Sequence, residues 1–239
     1  MSQRKFNVVV GGSGALGRTV LVLLSQRTDA ELIATFRNSD PPEELKDKVQ
    51  WIRYDSESRQ GVDALCGAVK DGAVVRLLFA AGEPSSKHAI VDTAREEWEQ
   101  LWRSNVMSFV DVYRGLHQPI RSGQARVLVV SSDTTRKLGA RNGPYSATKA
   151  ALEVVAITLA REEAPYGVRI NVLAPSLFES PLAERVMRLK GITDPDAYMA
   201  SLPWGRPLTL SEVANVAVSI LTGEEWRYAS GQVYRLAAE

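Results

Sequence analysis

Short apolar runs recur along the chain, separated by longer stretches in which apolar residues return every third or fourth position. The runs are 6–10 (FNVVV), 31–36 (ELIATF), 49–54 (VQWIRY), 73–79 (AVVRLLF), 127–130 (VLVV), 167–174 (GVRINVLA) and 232–236 (QVYRL). They are short and rich in β-branched and aromatic residues, which marks buried strands. The stretches at 18–26, 60–70, 93–118, 143–163 and 209–221 carry helical spacing, and Pro41-Pro42 starts a short helix. In 93–118 the apolar stripe is Trp98, Leu101, Trp102, Val106, Phe109, Val110 and Tyr113. Strands alternating with helices from one end to the other predict an α/β fold, a doubly wound parallel sheet with helices on both faces. At 239 residues this is a single domain, 1–239, with no repeat or linker to divide it.

In such a sheet, ligands bind beyond the carboxyl ends of the strands. The first strand runs into Gly11-Gly12-Ser13-Gly14-Ala15-Leu16-Gly17 and then into a helix. Glycine lets the backbone turn tightly and approach a pyrophosphate, and the helix N-terminus supplies free N–H groups and partial positive charge. A turn that merely needs glycine is the minority reading. After the second strand, where many NAD-binding proteins carry an acid for the ribose 2′-OH, stands Arg37. It suits a 2′-phosphate, which favours NADP(H) over NAD(H); the alternative is an ordinary surface arginine. Asp55 ends the third strand, either capping the next helix or accepting a bond from adenine. The fourth strand ends at Ala80-Ala81-Gly82, small residues where a cofactor ribose would pass.

The fifth run ends at Ser131-Ser132, and a polar loop leads to Tyr145-Ser146-Ala147-Thr148-Lys149 at the start of a helix. Residues i and i+4 share a helix face, so Tyr145 and Lys149 point the same way. A free phenol has a pKa of about 10, and a nearby cation lowers it. A hydroxyl at Ser132 could orient a substrate carbonyl against that phenol. Tyr-x-x-x-Lys alone is weak, because such pairs arise by chance; its weight comes from the other strand-end residues. Asn105 lies within an apolar stripe and needs partners, so a structural anchor and a site residue are equal readings. Segment 177–204 is rich in large apolar residues and falls where a substrate lid belongs. Plain packing over the sheet edge is its alternative.

Composition narrows the function classes. The net charge is +1, which gives no footprint for nucleic acid. A single cysteine, Cys66, rules out an intrachain disulfide framework and is consistent with a cytoplasmic protein. The apolar part of the N-terminus is too short for a signal or a membrane span. His88 and His117 are isolated, so no metal site is expected, and Ser132 has no plausible His base for hydrolase chemistry.

These motifs, in this order, resemble the classical short-chain dehydrogenase/reductase family over essentially the full length. The segment Gly11 to Gly17 resembles the family's Thr-Gly-x-x-x-Gly-x-Gly turn, and Asn105, Ser132, Tyr145 and Lys149 match its Asn-Ser-Tyr-Lys tetrad. Pro175-Ser176-Leu177-Phe178-Glu179-Ser180 looks like the Pro-Gly…Thr segment that contacts nicotinamide. Leu202 to Pro207 and Ser230-Gly231-Gln232 are similar to its C-terminal signposts. Departures are Val10 for Thr, Ala15 for Gly, Phe79-Ala80-Ala81-Gly82 for Asn-Asn-Ala-Gly, Ser176 for Gly, and a tail ending Arg235-Leu236-Ala237-Ala238-Glu239.

The resemblance, nearest to 3-oxoacyl-thioester reductases and polyketide-type ketoreductases, implies a Rossmann-type fold and NADPH-dependent reduction of a ketone. It implies cofactor contacts at Gly11, Ser13, Gly14, Ala15, Leu16, Gly17, Arg37, Asp55, Ala81, Gly82, Tyr145, Lys149, Pro175, Phe178 and Ser180. Lys149 would bond the nicotinamide ribose and lower the pKa of Tyr145, the proton donor. Ser132 would hold the carbonyl oxygen, Asn105 a water linking Lys149 to solvent, and Ser180 would stand in for the threonine. The helices at 93–118 and 143–163 resemble those that pair in family dimers and tetramers. The apolar lid suggests a hydrophobic or acyl-chain carbonyl substrate. Alternatives are an alcohol dehydrogenase running in reverse and a non-catalytic NADP(H)-binding sensor or scaffold.

Overall fold

The structure is a computed structural model and describes residues 3–237, so the tail residues Ala238 and Glu239 lie outside it. Seven parallel strands form one sheet in the order β3-β2-β1-β4-β5-β6-β7. They are β1 (Arg4–Val10), β2 (Glu31–Phe36), β3 (Val49–Arg53), β4 (Gly72–Phe79), β5 (Arg126–Val130), β6 (Arg169–Pro175) and β7 (Val233–Leu236). The helices that flank the sheet are α1 (Ala15–Arg27), α2 (Arg59–Ala68), α3 (Arg95–Trp102), α4 (Ser108–Gly115), α5 (His117–Ser122), α6 (Thr134–Lys137), α7 (Gly143–Glu163), α8 (Pro181–Leu189), α9 (Pro195–Ala200) and α10 (Leu210–Thr222). The expected single-domain, Rossmann-type α/β architecture is the observed one.

Alternating side chains of each strand feed two cores. On one face Phe6, Val8, Val10, Leu77 and Phe79 pack with Leu65 of α2, Phe109 and Val112 of α4, and Leu152 and Ala156 of α7. On the other, Val9, Leu78, Leu128 and Leu173 pack with Val20, Leu21 and Leu24 of α1 and with Val213, Val218 and Leu221 of α10. Full burial of each such side chain contributes about 1.5–3 kcal/mol. The chain leaves β1 for β2 on one side and returns to β4 on the other, so the crevice of the sheet opens above Val10 and Phe79, which are paired in register.

One expected element is different. The continuous helix at 93–118 is broken into α3, a π-helical turn over Arg103–Met107, α4 and, after Leu116, α5. The wide turn adds a residue, so the stripe loses phase across it: Phe109 is fully buried, whereas Trp102 is 47% exposed. Segment 177–204 holds two short helices, α8 capped by Ser180 and α9 capped by Asp194. Thr209 and Glu212 form a reciprocal capping box on α10. Asp55 does not cap α2; Ser58 does, while Asp55 accepts from the Glu57 N–H. Among the described residues no helix is long and apolar enough to cross a membrane.

Candidate active site

The glycine turn closes because of two close approaches. Gly11 has φ +86, and a Cβ on Gly17 would lie 2.3 Å from the Gly11 carbonyl oxygen. α1 therefore starts directly beneath the β1 turn, with Gly14 at its N-cap and no side chain capping it. Gly11, Ser13, Gly14, Arg37, Ala81 and Gly82 line a hollow of about 370 Å³. A smaller polar hollow holds Arg37, Asp55, Ser56 and Arg103. Leu16 and Gly17 are buried behind the turn, and with Ala15 they do not line either hollow.

Arg37 is not free in this hollow. It is paired with the carboxylate of Glu83, which Gln100 also holds at 2.9 Å. The backbone of Glu83 is fixed in turn by Asn105: its Oδ1 accepts from the Glu83 N–H at 2.7 Å, and its Nδ2 donates to the Glu83 carbonyl at 3.1 Å and to Thr148 Oγ1 at 3.1 Å. Asn105 is fully buried in the π-helical turn, which aims it inward, and its amide is spent on these partners. These bonds brace the segment after β4, where the sequence lacks the family's two amides.

Ser132 follows β5, and Tyr145 stands in the first turn of α7. The two are in hydrogen-bonding reach, which draws the phenol pKa down, but burial dominates and pushes Tyr145 up to about 12. The expected lowering by Lys149 is overridden, because Lys149 Nζ lies 5.8 Å from the Tyr145 ring centroid and bonds the Val130 carbonyl at 3.0 Å instead. Lys149 is 4% exposed, and burial brings it down to about 8, with Glu153 one turn on pulling the other way. A Cβ on Gly82 would lie 3.1 Å from that Nζ, so the ammonium sits at the inner end of the glycine-lined hollow.

Tyr145 and Ser132 open onto a cavity of about 610 Å³. Pro175, Phe178 and Ser180 line it from the end of β6, and Leu182, Ile192, Leu202 and Trp204 from segment 177–204. Ser180 Oγ is engaged as the α8 cap. The structure thus gathers Ser132, Tyr145, Pro175, Phe178 and Ser180 at one cavity. It places Gly11, Ser13, Gly14, Arg37, Ala81 and Gly82 at the adjoining hollow, with Lys149 between.

Sequence reasoning missed three residues. Glu83 follows Gly82 at a strand end, a position that signals a ligand edge but not an arginine partner. Glu153 accepts from Ser131 at 2.7 Å, Thr135 at 2.8 Å and Arg235 at 3.1 Å, tying α7 to β5 and β7. Lys87 lies in the loop after β4 and is 8% exposed, with φ +68. Its Nζ bonds Asn142 Oδ1 and sits 5.4 Å from the Tyr145 ring centroid. Burial and the neighbouring Lys190 hold it down to about 8, against the pull of Glu97. No periodicity marks that loop.

The family model described as enoyl-(acyl carrier protein) reductase matches residues 18–236. The chain belongs to the classical short-chain dehydrogenase/reductase family. It is 24% identical over 241 residues to 1-cyclohexenylcarbonyl-CoA reductase of Streptomyces collinus, covering 96% of this chain and 84% of that protein. It is 26% identical over 237 residues to the 3-oxoacyl-(acyl-carrier-protein) reductase FabG of Vibrio cholerae, covering 95% and 93%. The crystal structure of L-sorbose reductase from Gluconobacter frateurii with NADPH and L-sorbose superimposes with a TM-score of 0.87 at 26% identity, covering 98% of this chain and 95% of that one. Like its relatives, this short-chain dehydrogenase/reductase is an oxidoreductase acting on CH–OH or C=O groups.

Proposed function

We propose that the protein is an NADP(H)-dependent carbonyl reductase, converting a ketone on a largely apolar substrate to a secondary alcohol. The observation that carries the reading is Tyr145: a protonated phenol beside Ser132, at the inner end of an apolar cavity and one turn from Lys149. The 3-oxoacyl reductase among the relatives is consistent with a 3-oxoacyl or polyketide-like substrate.

The residues fit a dinucleotide. Side chains at Gly11 and Gly17 would collide with backbone, and the uncapped start of α1 leaves N–H groups for phosphate oxygens. Gly11, Ser13, Gly14 and the N–H groups of Ala15, Leu16 and Gly17 would hold the pyrophosphate, and Arg37 the 2′-phosphate. Asp55, Ala81 and Gly82 would border adenosine and ribose, with Lys149 at the nicotinamide ribose and Pro175, Phe178 and Ser180 at the nicotinamide end. When bound, the nicotinamide supplies the hydride.

The chain's own residues handle the oxygen. Ser132 holds the carbonyl oxygen, and Tyr145 gives it the phenolic proton, which is general acid catalysis. Lys149, cationic near neutral pH, stabilises the phenolate that remains. Segment 177–204 covers the substrate and keeps water out. The same groups run the reverse oxidation when Tyr145 starts as phenolate. The exposed apolar residues Trp102, Met107 and Val154, on the faces of α3, the π-helical turn and α7, fit a homodimer contact. Tyr145→Phe, assayed over a ketone panel with NADPH and NADH, tests the reading. Turnover should fall about 10²–10⁴-fold; retained turnover would overturn the role, and an inactive wild type that still binds NADPH would favour a sensor.

A further inference from the structure

The substrate cavity carries an excess of positive charge that the proposed reduction does not use. Of its lining cations, Lys137 is paired with Asp133 at 2.6 Å and Arg206 with Glu212 at 2.7 Å. Lys87, Lys190 and Arg141 also line it, and among the described residues none of these three has a carboxylate within ion-pair distance. Lys190 is held by Tyr198 through its hydroxyl at 3.3 Å and its ring face. Asn142 fixes the Lys87 ammonium against the Tyr145 ring.

We propose that Lys87, with Lys190 beside it, binds a carboxylate carried by the carbonyl substrate itself, so that the preferred substrate is a free oxo acid with an apolar body. Resting on the reductase reading, the inference narrows its substrate class. Two ammonium groups in one largely apolar cavity repel each other, and an anion between them removes that penalty. Both lysines line the cavity, and burial first and Lys190 second lower the pKa of Lys87, against the pull of Glu97. A buried lysine in a left-handed backbone conformation is an unfavourable arrangement, of the kind that collects at functional sites.

Position decides what the anion belongs to. Lys87 Nζ is 5.4 Å from the centre of the ring that delivers the proton, so the bound anion lies within a few bonds of the reacting carbonyl. The phosphates of a thioester carrier sit at the far end of a long arm and do not meet this requirement. A carboxylate on a short oxo acid does, with its hydrocarbon part on Leu182, Ile192 and Leu202.

Binding and turnover test this separately. Calorimetry on the full chain near neutral pH, with NADPH present, should give hexanoate at least tenfold tighter than hexanamide and tighter than hexylphosphonate. Lys87→Met should abolish the preference, Lys190→Met should reduce it, and Lys87→Arg should restore part of it. In turnover, kcat/KM for 3-oxohexanoate should exceed that for its methyl ester at least tenfold, with the difference in KM. Equal binding of hexanoate and hexanamide, or a preference that survives both methionine variants, overturns the proposal, as does hexylphosphonate binding in place of hexanoate. Turnover of ester and acid alike sinks the carboxylate site and leaves the reductase standing. Selective hexanoate binding without turnover of any ketone sinks the reductase and leaves the anion site.

Discussion

The Glu83 carboxylate holds Arg37 across the mouth of the glycine-lined hollow, and Gln100 braces that carboxylate. The pair qualifies the cofactor preference that Arg37 alone suggests. A 2′-phosphate has to take Arg37 from Glu83, and the displaced carboxylate stays nearby as a like charge. Glu83→Gln removes the competition. The ratio of kcat/KM with NADPH to that with NADH should rise about tenfold, since a hydrogen bond to a charged group contributes about 1.5–3 kcal/mol. Arg37→Ala should lower the ratio by a similar factor. A ratio unmoved by either change means that the 2′ position is bound elsewhere.

The pH profile separates the two groups of the Tyr–Lys pair. In the free protein Tyr145 is pushed up to about 12 and Lys149 down to about 8. The profile of kcat/KM reports the free enzyme. Reduction needs the phenol protonated and the amine charged, so it should fall above about pH 8 as Lys149 loses its proton. Alcohol oxidation needs phenolate beside the charged amine, so it should rise with pH up to about 8 and level off above it. The groups facing Lys149 are Glu153, Tyr145, Asn105 and the Val130 carbonyl, and of these Glu153 is the charge that opposes the shift. Stability follows the same sign. The unfolded chain binds the Lys149 proton up to the ordinary lysine value of 10.5, the folded one only to about 8, so this group's contribution to stability rises with pH between those values. A reduction profile that stays flat through this window removes Lys149 from the mechanism.

Much of this site was legible because it lies at strand ends, and strands announce themselves. Gly11, Arg37, Gly82, Ser132 and Pro175 each follow an apolar run, and in a parallel sheet those ends converge. What the sequence hid was decided by contacts between distant segments. Trp102 looks like part of one stripe with Phe109, and only the π-helical turn puts it on the surface. The partner of Arg37 is 46 positions away, with nothing in spacing or charge to link it to Glu83. Lys87 sits in a loop without period, and its burial depends on Asn142 and on α7. The phenol of Tyr145 is a question of magnitude: spacing shows a cation one turn away, but not that burial outweighs it.

Two glycine-to-alanine changes separate a required glycine from an incidental one. At Gly17 the new Cβ meets the Gly11 oxygen at 2.3 Å and the Gly12 Cα at 2.8 Å, both backbone, so α1 must shift. Gly17→Ala should destabilise the protein by about 1–3 kcal/mol and weaken NADPH binding with it. At Gly67, inside α2, a Cβ meets nothing within 4 Å. Gly67→Ala should stabilise by about 0.5–1 kcal/mol and leave NADPH binding alone, because alanine loses less backbone entropy in a helix. Unfolding midpoints and NADPH titrations on both variants check the pair. A Gly17→Ala protein with wild-type stability would mean that the turn relaxes more easily than these distances allow.

Asn105 offers the sharpest contrast between what the family resemblance implies and what the side chain touches. The resemblance gives it a water that links Lys149 to solvent. The structure spends its amide on the N–H and carbonyl of Glu83 and on Thr148. Asn105→Ala takes from the half-buried Glu83 N–H and carbonyl their side-chain partner, while Thr148 Oγ1 keeps its bond to the Tyr145 carbonyl, at a cost of about 1–3 kcal/mol. It also releases the segment that carries Gly82 past Lys149 and sets the Glu83–Arg37 pair. The variant should therefore unfold at lower denaturant and bind NADPH more weakly, before any question of chemistry arises. An Asn105→Ala protein with wild-type stability and NADPH affinity but slow turnover would restore the relay and remove the anchor. The anchor predicts the reverse order of damage, because two of the three groups that Asn105 holds are the backbone N–H and carbonyl of Glu83, which set the course of the segment after β4.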